Sequence, residues 1–232
     1  MPQGELLLDT DTNATLQQVV QQALSEKSPS AIIATGDLVH GGGTPVYRRF
    51  LSIIAEHCNA PLLCLPGNHD LAAEMREAEL PMQSLTLGTW SVVGLDSHED
   101  DVPKANIDAA KRDALLRHWS EQTVRFALLA THHPLLSIGS PWLDKDRIAD
   151  PESLMDALIA ASGPQFAGAV FGHAHQVVQG HYCHRPLLGT PSTAFQFLPR
   201  SEKFTTDQRP PGYRWVTLDD DGHIHSQVRW LN

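Results

Sequence analysis

The stretch APLLCLPGNHD, residues 60–70, is a short apolar run followed at once by glycine and polar side chains. Such a run predicts a buried β-strand that ends just before Gly67. Three other apolar runs end in the same way: SAIIATGD at residues 30–37, RFALLATHHP at 125–134 and FAGAVFGHAH at 166–175. In open α/β sheets ligands bind beyond the carboxyl ends of the strands, so the four polar ends are predicted to meet in one site.

Helical patterns separate these predicted strands. DTNATLQQVVQQALSEK at residues 11–27 has apolar residues at helical spacing, with Thr12 or Asn13 as a plausible N-cap. PVYRRFLSIIAEH, NIDAAKRDALLRHWSEQ and DPESLMDALIAAS follow as helices, whereas residues 181–231 contain only short strand-like runs. The sequence therefore predicts a single α/β domain over residues 1–232, with a two-layered sheet core flanked by helices.

Composition excludes some classes of protein. The chain has 232 residues and a formal net charge of -10, which argues against a broad basic face that would bind nucleic acid. Its three cysteines lack any CxxC spacing, so a disulfide framework is not expected and a reducing compartment fits better. Without a signal-like or membrane-length apolar segment, we expect a cytoplasmic protein that does not associate with membranes.

The four polar ends carry side chains that suit a metal ion. Carboxylate, amide oxygen and imidazole are ligands of divalent ions such as Fe, Mn or Zn. Taken singly, a Gly-Asp pair is usually a turn and His132-His133 could be an ordinary solvated pair. His173 and His175 would point to the same side of an extended strand. All four clusters at strand ends together predict a metal site.

The order GD, GNHD, THHP and GHAH resembles the calcineurin-like metallophosphoesterases, and the resemblance covers almost the whole chain. In the C-terminal half, GHAHQ, LLGTPSTAFQF and PGYRWVTL resemble the bacterial class III cyclic-nucleotide phosphodiesterases. The resemblance implies a two-layer β-sandwich with flanking helices, and two metal ions bridged by one aspartate.

Carried over by motif, the resemblance assigns a role to each candidate residue. Asp37 would be the bridge. Asn68, His132 and His173 would complete one metal site, and His175 would serve the other; His133 is the less favoured ligand of its pair. The resemblance places His69 beside the phosphate and Asp70 next to His69, orienting its ring.

The family pattern also contains an Asp-x-His before the Gly-Asp strand, and this chain has none there. DTDTN offers Asp9 and Asp11, either as substitute ligands or as the start of the following helix. We favour the helix start, because Asp11-Thr12-Asn13 has good N-cap chemistry. The domain is then expected to begin after the first metal-binding strand, through a misplaced start or as a degenerate paralogue, and to hold one metal instead of two.

The function expected from these features is hydrolysis of a cyclic nucleotide, with 3',5'-cyclic AMP favoured, by a metal-activated hydroxide. His69 would stabilise charge on the phosphate or protonate the leaving group. Thr190 and Ser192 would line the base or ribose side, or would simply form a turn. The alternatives are another phosphoesterase, such as a nucleotidase or glycerophosphodiesterase, and a metal-binding pseudoenzyme. A homodimer is also compatible with the sequence.

Overall fold

The computed structural model describes residues 1–232 as alternating helices and strands followed by a β-rich C-terminal part. The helices are Thr12–Glu26 (α1), Thr44–His57 (α2), Ala72–Glu77 (α3), Ala109–Ser120 (α4), Pro141–Asp144 (α5) and Pro151–Ala160 (α6). The strands are Ile32–Ala34 (β1), Leu62–Cys64 (β2), Leu85–Leu87 (β3), Trp90–Leu95 (β4), Phe126–Thr131 (β5), Gln165–Phe171 (β6), Val178–Tyr182 (β7), Arg185–Gly189 (β8), Gln196–Phe197 (β9), Thr206–Asp207 (β10), Gly212–Leu218 (β11) and Ile224–Trp230 (β12).

The main sheet has six strands in the order β3-β4-β5-β6-β8-β7. Its four inner strands are parallel, and β3 and β7 run antiparallel at the two edges. All six residues of β5 are buried, as expected for a parallel strand covered on both faces. The carboxyl ends of β5 and β6 therefore open at the same edge of the sheet.

Separate apolar clusters cover the two faces of this sheet. On one face, α4 and α6 pack through residues such as Leu115, Trp119 and Leu158. On the other face, residues of β2 and β11, including Leu63 and Val216, pack against Trp90, Val92, Leu128 and Val170. The second sheet layer consists of the pairs β1-β2 and β11-β12. The prediction of two β-layers flanked by helices is confirmed.

A third cluster joins α1 and α2 to β1 and β2. It is built by residues between Leu16 and Met82, with Tyr47 and Cys64 fully buried within it. Pro45 lies in the first turn of α2, as the sequence predicts. Two short helices, α3 and α5, are absent from the sequence prediction, because segments of four to six residues are too short to show periodicity.

A cavity of about 1340 Å³ lies between the two halves of the second layer. Strands β1 and β11 line its sides, and helix α1 lies across it. All three residues of β1 remain partly exposed although they are apolar. The same cavity continues to the carboxyl ends of β1, β2 and β6. No helix of the protein is both long enough and apolar enough to span a bilayer.

Candidate functional site

Four side chains from the four strand ends converge on one point. The Nε2 atom of His132 lies 3.2 Å from Asn68 Oδ1 and 3.4 Å from Asp37 Oδ2. The Nδ1 atom of His173 lies 3.0 Å from Asn68 Oδ1 and 3.2 Å from His132 Nε2. Asp37 and His173 are 136 positions apart in the sequence, and the fold brings them together at the edge of the sheet.

Close backbone packing makes this convergence possible. A Cβ added to Gly67 would lie 2.2 Å from Asp37 Oδ1, and one added to Gly172 would lie 2.7 Å from Thr35 Oγ1. Neither gap can accommodate a side chain. Glycine therefore lets the loops after β1, β2 and β6 approach one another closely enough for their polar side chains to touch.

The loop after β6 differs from the expectation. The strand ends at Phe171, and both His173 and His175 have left-handed backbone conformations, with φ of 58° and 46°. The prediction that they share one side of an extended strand is wrong, because the chain turns sharply after Gly172. Such strained conformations concentrate at functional sites, where surrounding contacts hold them in place.

The donor set fits a divalent cation. His132 Nδ1 lies 2.7 Å from the carbonyl of Thr35, which fixes the ring and leaves the Nε2 lone pair facing Asp37 and Asn68. Burial, together with the neighbouring His132, lowers the pKa of His173, so that ring carries no extra proton. Lone pairs of nitrogen and oxygen thus face one another, an arrangement that a bound cation stabilises.

The charge on Asp37 matches this picture. Burial raises the pKa of this carboxyl, but the neighbouring His132 and His69, together with the backbone N–H of His69, which donates to Oδ1 at 3.0 Å, lower it more, to well below its usual range. Asp37 is therefore ionised at neutral pH, as a metal ligand must be.

His133 lies close to the four donors, but both of its ring nitrogens already have hydrogen-bond partners. His132, His133 and His173 offer nitrogens within 4.8 Å of one another, which by distance alone makes a three-histidine group. However, His133 Nδ1 lies 2.8 Å from Ser97 Oγ and its Nε2 lies 3.0 Å from the carbonyl of Pro103. Burial lowers the pKa of His133 to about 3. This ring is neutral with both nitrogens bonded, which favours a structural role.

His175 lies near enough to Asp37 for the charge of that carboxylate to act on its ring. Its Nδ1 is 2.9 Å from the carbonyl of Phe195, and its ring stacks on Phe197 at 4.3 Å between centroids. Burial lowers the pKa of His175 to about 4, while the charge of Asp37 acts in the opposite direction. The neutral ring thus has its Nε2 lone pair available to a ligand.

Asp70 connects the two loops that carry Asp37 and Asn68. Its carboxylate accepts hydrogen bonds from the backbone N–H of Gly67 at 2.8 Å, of Leu38 at 3.1 Å and of Val39 at 3.2 Å. It also accepts one from the hydroxyl of Tyr47 at 3.1 Å. Burial and the charge of Asp37 raise the pKa of Asp70 to about 7.

The expected pairing of Asp70 with the His69 ring is wrong. The Asp70 carboxylate faces backbone N–H groups of its own loop and the preceding one, whereas the His69 ring lies against His40, with centroids 4.6 Å apart. The backbone N–H of His69 donates to Asp37 Oδ1 at 3.0 Å. His69 is exposed and lines the cavity beside the four donors, so its ring can reach a bound substrate.

Sequence reasoning missed several residues that support the site. Tyr47 is fully buried, and its hydroxyl also accepts a hydrogen bond from the N–H of Leu71 at 2.8 Å. His98 is buried as well, with Nε2 3.0 Å from both the carbonyl of Asp70 and Asp100 Oδ1. Tyr47 follows an ordinary helical spacing and His98 stands outside the four motifs, so no sequence pattern indicates a role for either residue.

Asp9 and Asp11 do not line the cavity that the four donors line. The N-cap of α1 is Asp11, which corrects the expectation of Thr12 or Asn13. Its Oδ1 accepts from the N–H groups of Asn13 at 3.1 Å and Ala14 at 3.0 Å. Asp9 and Asp11 border a separate surface depression, and neither lines the large cavity.

Thr190 and Ser192 both line the large cavity. This position agrees with the expectation that they face the base or ribose of a substrate. Ser192 is also part of a tight turn, since its Oγ accepts from the N–H of Ala194 at 3.1 Å. Both expectations therefore hold for Ser192, which lines the cavity and also forms a turn.

Known proteins resemble the chain over nearly its full length. It is 36% identical over 230 residues to the 3',5'-cyclic adenosine monophosphate phosphodiesterase CpdA of Pseudomonas aeruginosa, covering 97% of this chain and 84% of that protein. The protein of the same name from Escherichia coli K12 is 32% identical over 234 residues, covering 98% and 84%. Among solved structures, Plasmodium GAP50 has a TM-score of 0.51 at 11% identity, covering 95% of this chain and 82% of that one. This last likeness concerns the fold alone.

The family described as Calcineurin-like phosphoesterase matches residues 10–177, which contain all four strand-end motifs. Members of this family are metal-dependent hydrolases, in agreement with the donor cluster in the structure. The chain belongs to the calcineurin-like phosphoesterase family.

Proposed function

We propose that the protein is a metal-dependent phosphodiesterase that hydrolyses 3',5'-cyclic AMP. The observation that carries the proposal is the convergence of the Asp37, Asn68, His132 and His173 donor atoms, each of which lies 3.0–3.4 Å from at least one of the others. The names of the relatives in Pseudomonas aeruginosa and Escherichia coli support the choice of substrate.

In this proposal Asp37, Asn68, His132 and His173 hold one ion of Fe, Mn or Zn. A second ion would have Asp37 and His175 as its ligands from this chain. When bound, such ions lower the pKa of a coordinated water and neutralise charge on phosphate oxygens.

The remaining chemistry falls to His69. Its ring is exposed at the mouth of the cavity and lies beside His40. An imidazole there can donate a hydrogen bond to a phosphate oxygen, or a proton to the departing alkoxide as the P–O bond breaks. Asp70 then acts as a positioning residue, because it fixes the loop that carries His69 without touching the ring.

An aromatic wall, formed by Trp142, Phe197 and Phe204, fits the base of a nucleotide. Trp142 lies 5.1 Å from Phe197 and 5.6 Å from Phe204 between ring centroids, and all three line the same cavity as the donors. Phe197 in turn stacks on His175. Phe204 is 51% exposed, and Trp142 Nε1 is buried without a partner. Together their rings offer a face on which a purine can stack.

The direct test measures hydrolysis of four substrates by protein loaded with Mn, Fe or Zn: 3',5'-cyclic AMP, 2',3'-cyclic AMP, AMP and a glycerophosphodiester. We expect the highest kcat/KM for 3',5'-cyclic AMP. Faster turnover of AMP would identify a nucleotidase, and faster turnover of the glycerol diester a glycerophosphodiesterase. Metal binding without hydrolysis of any of them would favour the pseudoenzyme.

Asp37→Ala with Asp9→Ala as its matched control tests the metal site itself. Elemental analysis should show that Asp37→Ala loses most of the bound metal, because its carboxylate faces the other donors. Asp9→Ala should retain wild-type metal content and activity, because Asp9 does not line the cavity. Equal metal content in the two variants would refute the assignment of Asp37.

The aromatic wall has its own test. Trp142→Phe keeps a ring but removes the N–H group, and Trp142→Ala removes both. If the wall binds the base, Trp142→Ala should raise KM for 3',5'-cyclic AMP more than Trp142→Phe does, with kcat largely retained. Unchanged KM in both variants would place the base elsewhere.

A further inference from the structure

Ser140 lies where three loops of the protein meet. Its side chain is fully buried, and its Oγ accepts hydrogen bonds from Gln176 Nε2 at 3.3 Å and from the backbone N–H of Arg200 at 3.0 Å. Gln176 belongs to the loop after β6, Arg200 belongs to the loop between β9 and β10, and Ser140 itself directly precedes α5. One hydroxyl oxygen therefore connects segments that are 36 and 60 positions away from it in the sequence.

Each of these three segments carries side chains of the candidate site. The loop after β6 carries His173 and His175, α5 carries Trp142, and the loop after β9 carries Phe204. Phe197 joins them, because its ring stacks on His175 and lies 5.4 Å from the ring of Phe204 between centroids. Its backbone N–H also donates to the carbonyl of His175 at 3.2 Å. The aromatic wall thus packs directly against a proposed metal ligand.

The segment that leads into α5 is closed by the carboxylate of Asp144. Its Oδ2 accepts from the hydroxyl of Ser137 at 2.8 Å and from the N–H of Gly139 at 3.1 Å, and its Oδ1 accepts from the N–H of Ile138 at 2.7 Å. Because these bonds all lie within the segment, they fix its internal shape but not its position against the neighbouring loops. The hydrogen bonds of Ser140 attach the segment to both of those loops.

Both donors to Ser140 depend on its hydroxyl oxygen. Gln176 is only 3% exposed, so its amide group would lose a buried hydrogen bond without that oxygen. Arg200 has a left-handed backbone conformation, with φ of 60°, which is unfavourable for a residue other than glycine. Such a conformation persists where surrounding contacts hold it, and the N–H of Arg200 makes one of these contacts with Ser140. The oxygen therefore stabilises the loop that carries Phe204.

We propose that Ser140 is a positioning residue that determines specificity for the base of the substrate. The inference rests on the proposed function, because it takes the aromatic wall as the surface on which a purine stacks. Ser140 holds this wall in one position relative to the loop that carries His173 and His175. A base stacked on the wall then places the cyclic phosphate of the same molecule at the metal site. A substrate without a base makes no use of this arrangement.

The test compares 3',5'-cyclic AMP with ribose 3',5'-cyclic phosphate, which has the same reacting ring but no base. Ser140→Ala removes the shared acceptor. Gln176→Met removes one donor but keeps the length of the side chain, and it serves if Ser140→Ala does not fold. Ser120→Ala is the matched control, because that hydroxyl is exposed and donates to the carbonyl of Arg117 within α4 at 2.8 Å. Bound metal, kcat and KM are measured for each metal-loaded variant.

We expect Ser140→Ala to lower kcat/KM for 3',5'-cyclic AMP by about ten- to a hundredfold, mainly through KM, because the base is displaced relative to the metal site. Gln176→Met should show the same selective loss to a smaller extent. For the substrate without a base, both variants and Ser120→Ala should stay close to wild type, with metal content unchanged. An equal loss on the two cyclic phosphates, or no loss on either, would overturn the inference.

Two measurements without turnover separate this inference from the proposed function. Backbone amides of residues 198–205 should exchange at least about tenfold faster in Ser140→Ala than in wild type, and unchanged exchange would refute the positioning role. If wild-type protein hydrolyses neither cyclic phosphate, the proposed function fails, and calorimetry with AMP and inorganic phosphate then decides the inference. Ser140→Ala should weaken binding of AMP and leave binding of phosphate unchanged. An unchanged Kd for AMP, or no binding of AMP by wild type, would overturn the inference.

Discussion

Tyr47→Phe removes one hydroxyl from the contact between the two loops that carry Asp37 and Asn68. That hydroxyl donates to Asp70 Oδ1 at 3.1 Å and accepts from the N–H of Leu71 at 2.8 Å. The ring itself is fully buried, and phenylalanine fills the same space. The substitution therefore isolates two hydrogen bonds from the packing of α2.

The expected loss of stability follows from the two hydrogen-bond partners of the hydroxyl. A hydrogen bond to an ionised carboxylate contributes about 1.5–3 kcal/mol, and leaving a partly buried N–H without an acceptor costs about 1–3 kcal/mol. Because both losses involve one hydroxyl, we expect a combined loss of about 2–4 kcal/mol instead of the full sum. For a chain of this size that lowers Tm by about 5–15 °C.

The assay is thermal unfolding at pH 8, where Asp70 is ionised, with Tyr182→Phe as the matched control. Tyr182 also donates to a carboxylate, Asp156 Oδ1 at 2.7 Å, but does so at the surface. Its replacement should leave Tm nearly unchanged, because exposed interactions of this kind contribute little. If Tyr47→Phe is no more destabilising than Tyr182→Phe, the contact through Asp70 does not hold the loops together.

Three further predictions concern titratable groups. His69→Ala should lower kcat by about 10²–10⁴-fold with metal content unchanged, whereas loss of metal would make His69 a ligand. Because the pKa of Asp70 is raised to about 7, its contribution to stability is present below about pH 4 and is lost as the pH rises through about 7. The metal-free protein should therefore become less stable over this range, and a urea titration of Asp70→Asn should show a flatter profile. Burial raises the pKa of the Cys64 thiol to about 12, so a thiol reagent at pH 8 should label exposed Cys183 in the native protein and Cys64 only after unfolding.

The sequence predicted the donors because each follows a strong local pattern. Asp37, Asn68, His132 and His173 all come directly after an apolar strand, and parallel strands bring such positions to one edge. The order in which these motifs follow one another along the chain is the feature that resembles the family. The two β-layers and the main helices follow from periodicity in the same way.

The parts that the sequence did not predict depend on contacts between distant residues. Two of the partners of Asp70, the N–H groups of Leu38 and Val39, lie 32 and 31 positions away, which no local pattern encodes. The turn after Phe171 places His173 and His175 in left-handed conformations, so strand periodicity fails there. The aromatic wall joins Trp142 to Phe197 and Phe204, and only the folded chain shows that they share a cavity with the donors.

The third apolar cluster also influences the order in which parts of the chain can fold during synthesis. Its members all lie between Leu16 and Met82, so the ribosome releases every residue of that core before the strands of the main sheet. Local contacts of this kind form early, and N-terminal units fold first on emerging chains. A nascent chain ending near residue 120 can therefore already hold Asp37 and Asn68 in their loops, while His132 and His173 have not yet been made. The ability to bind a metal ion therefore arises late in translation, after most of the helices have been synthesised.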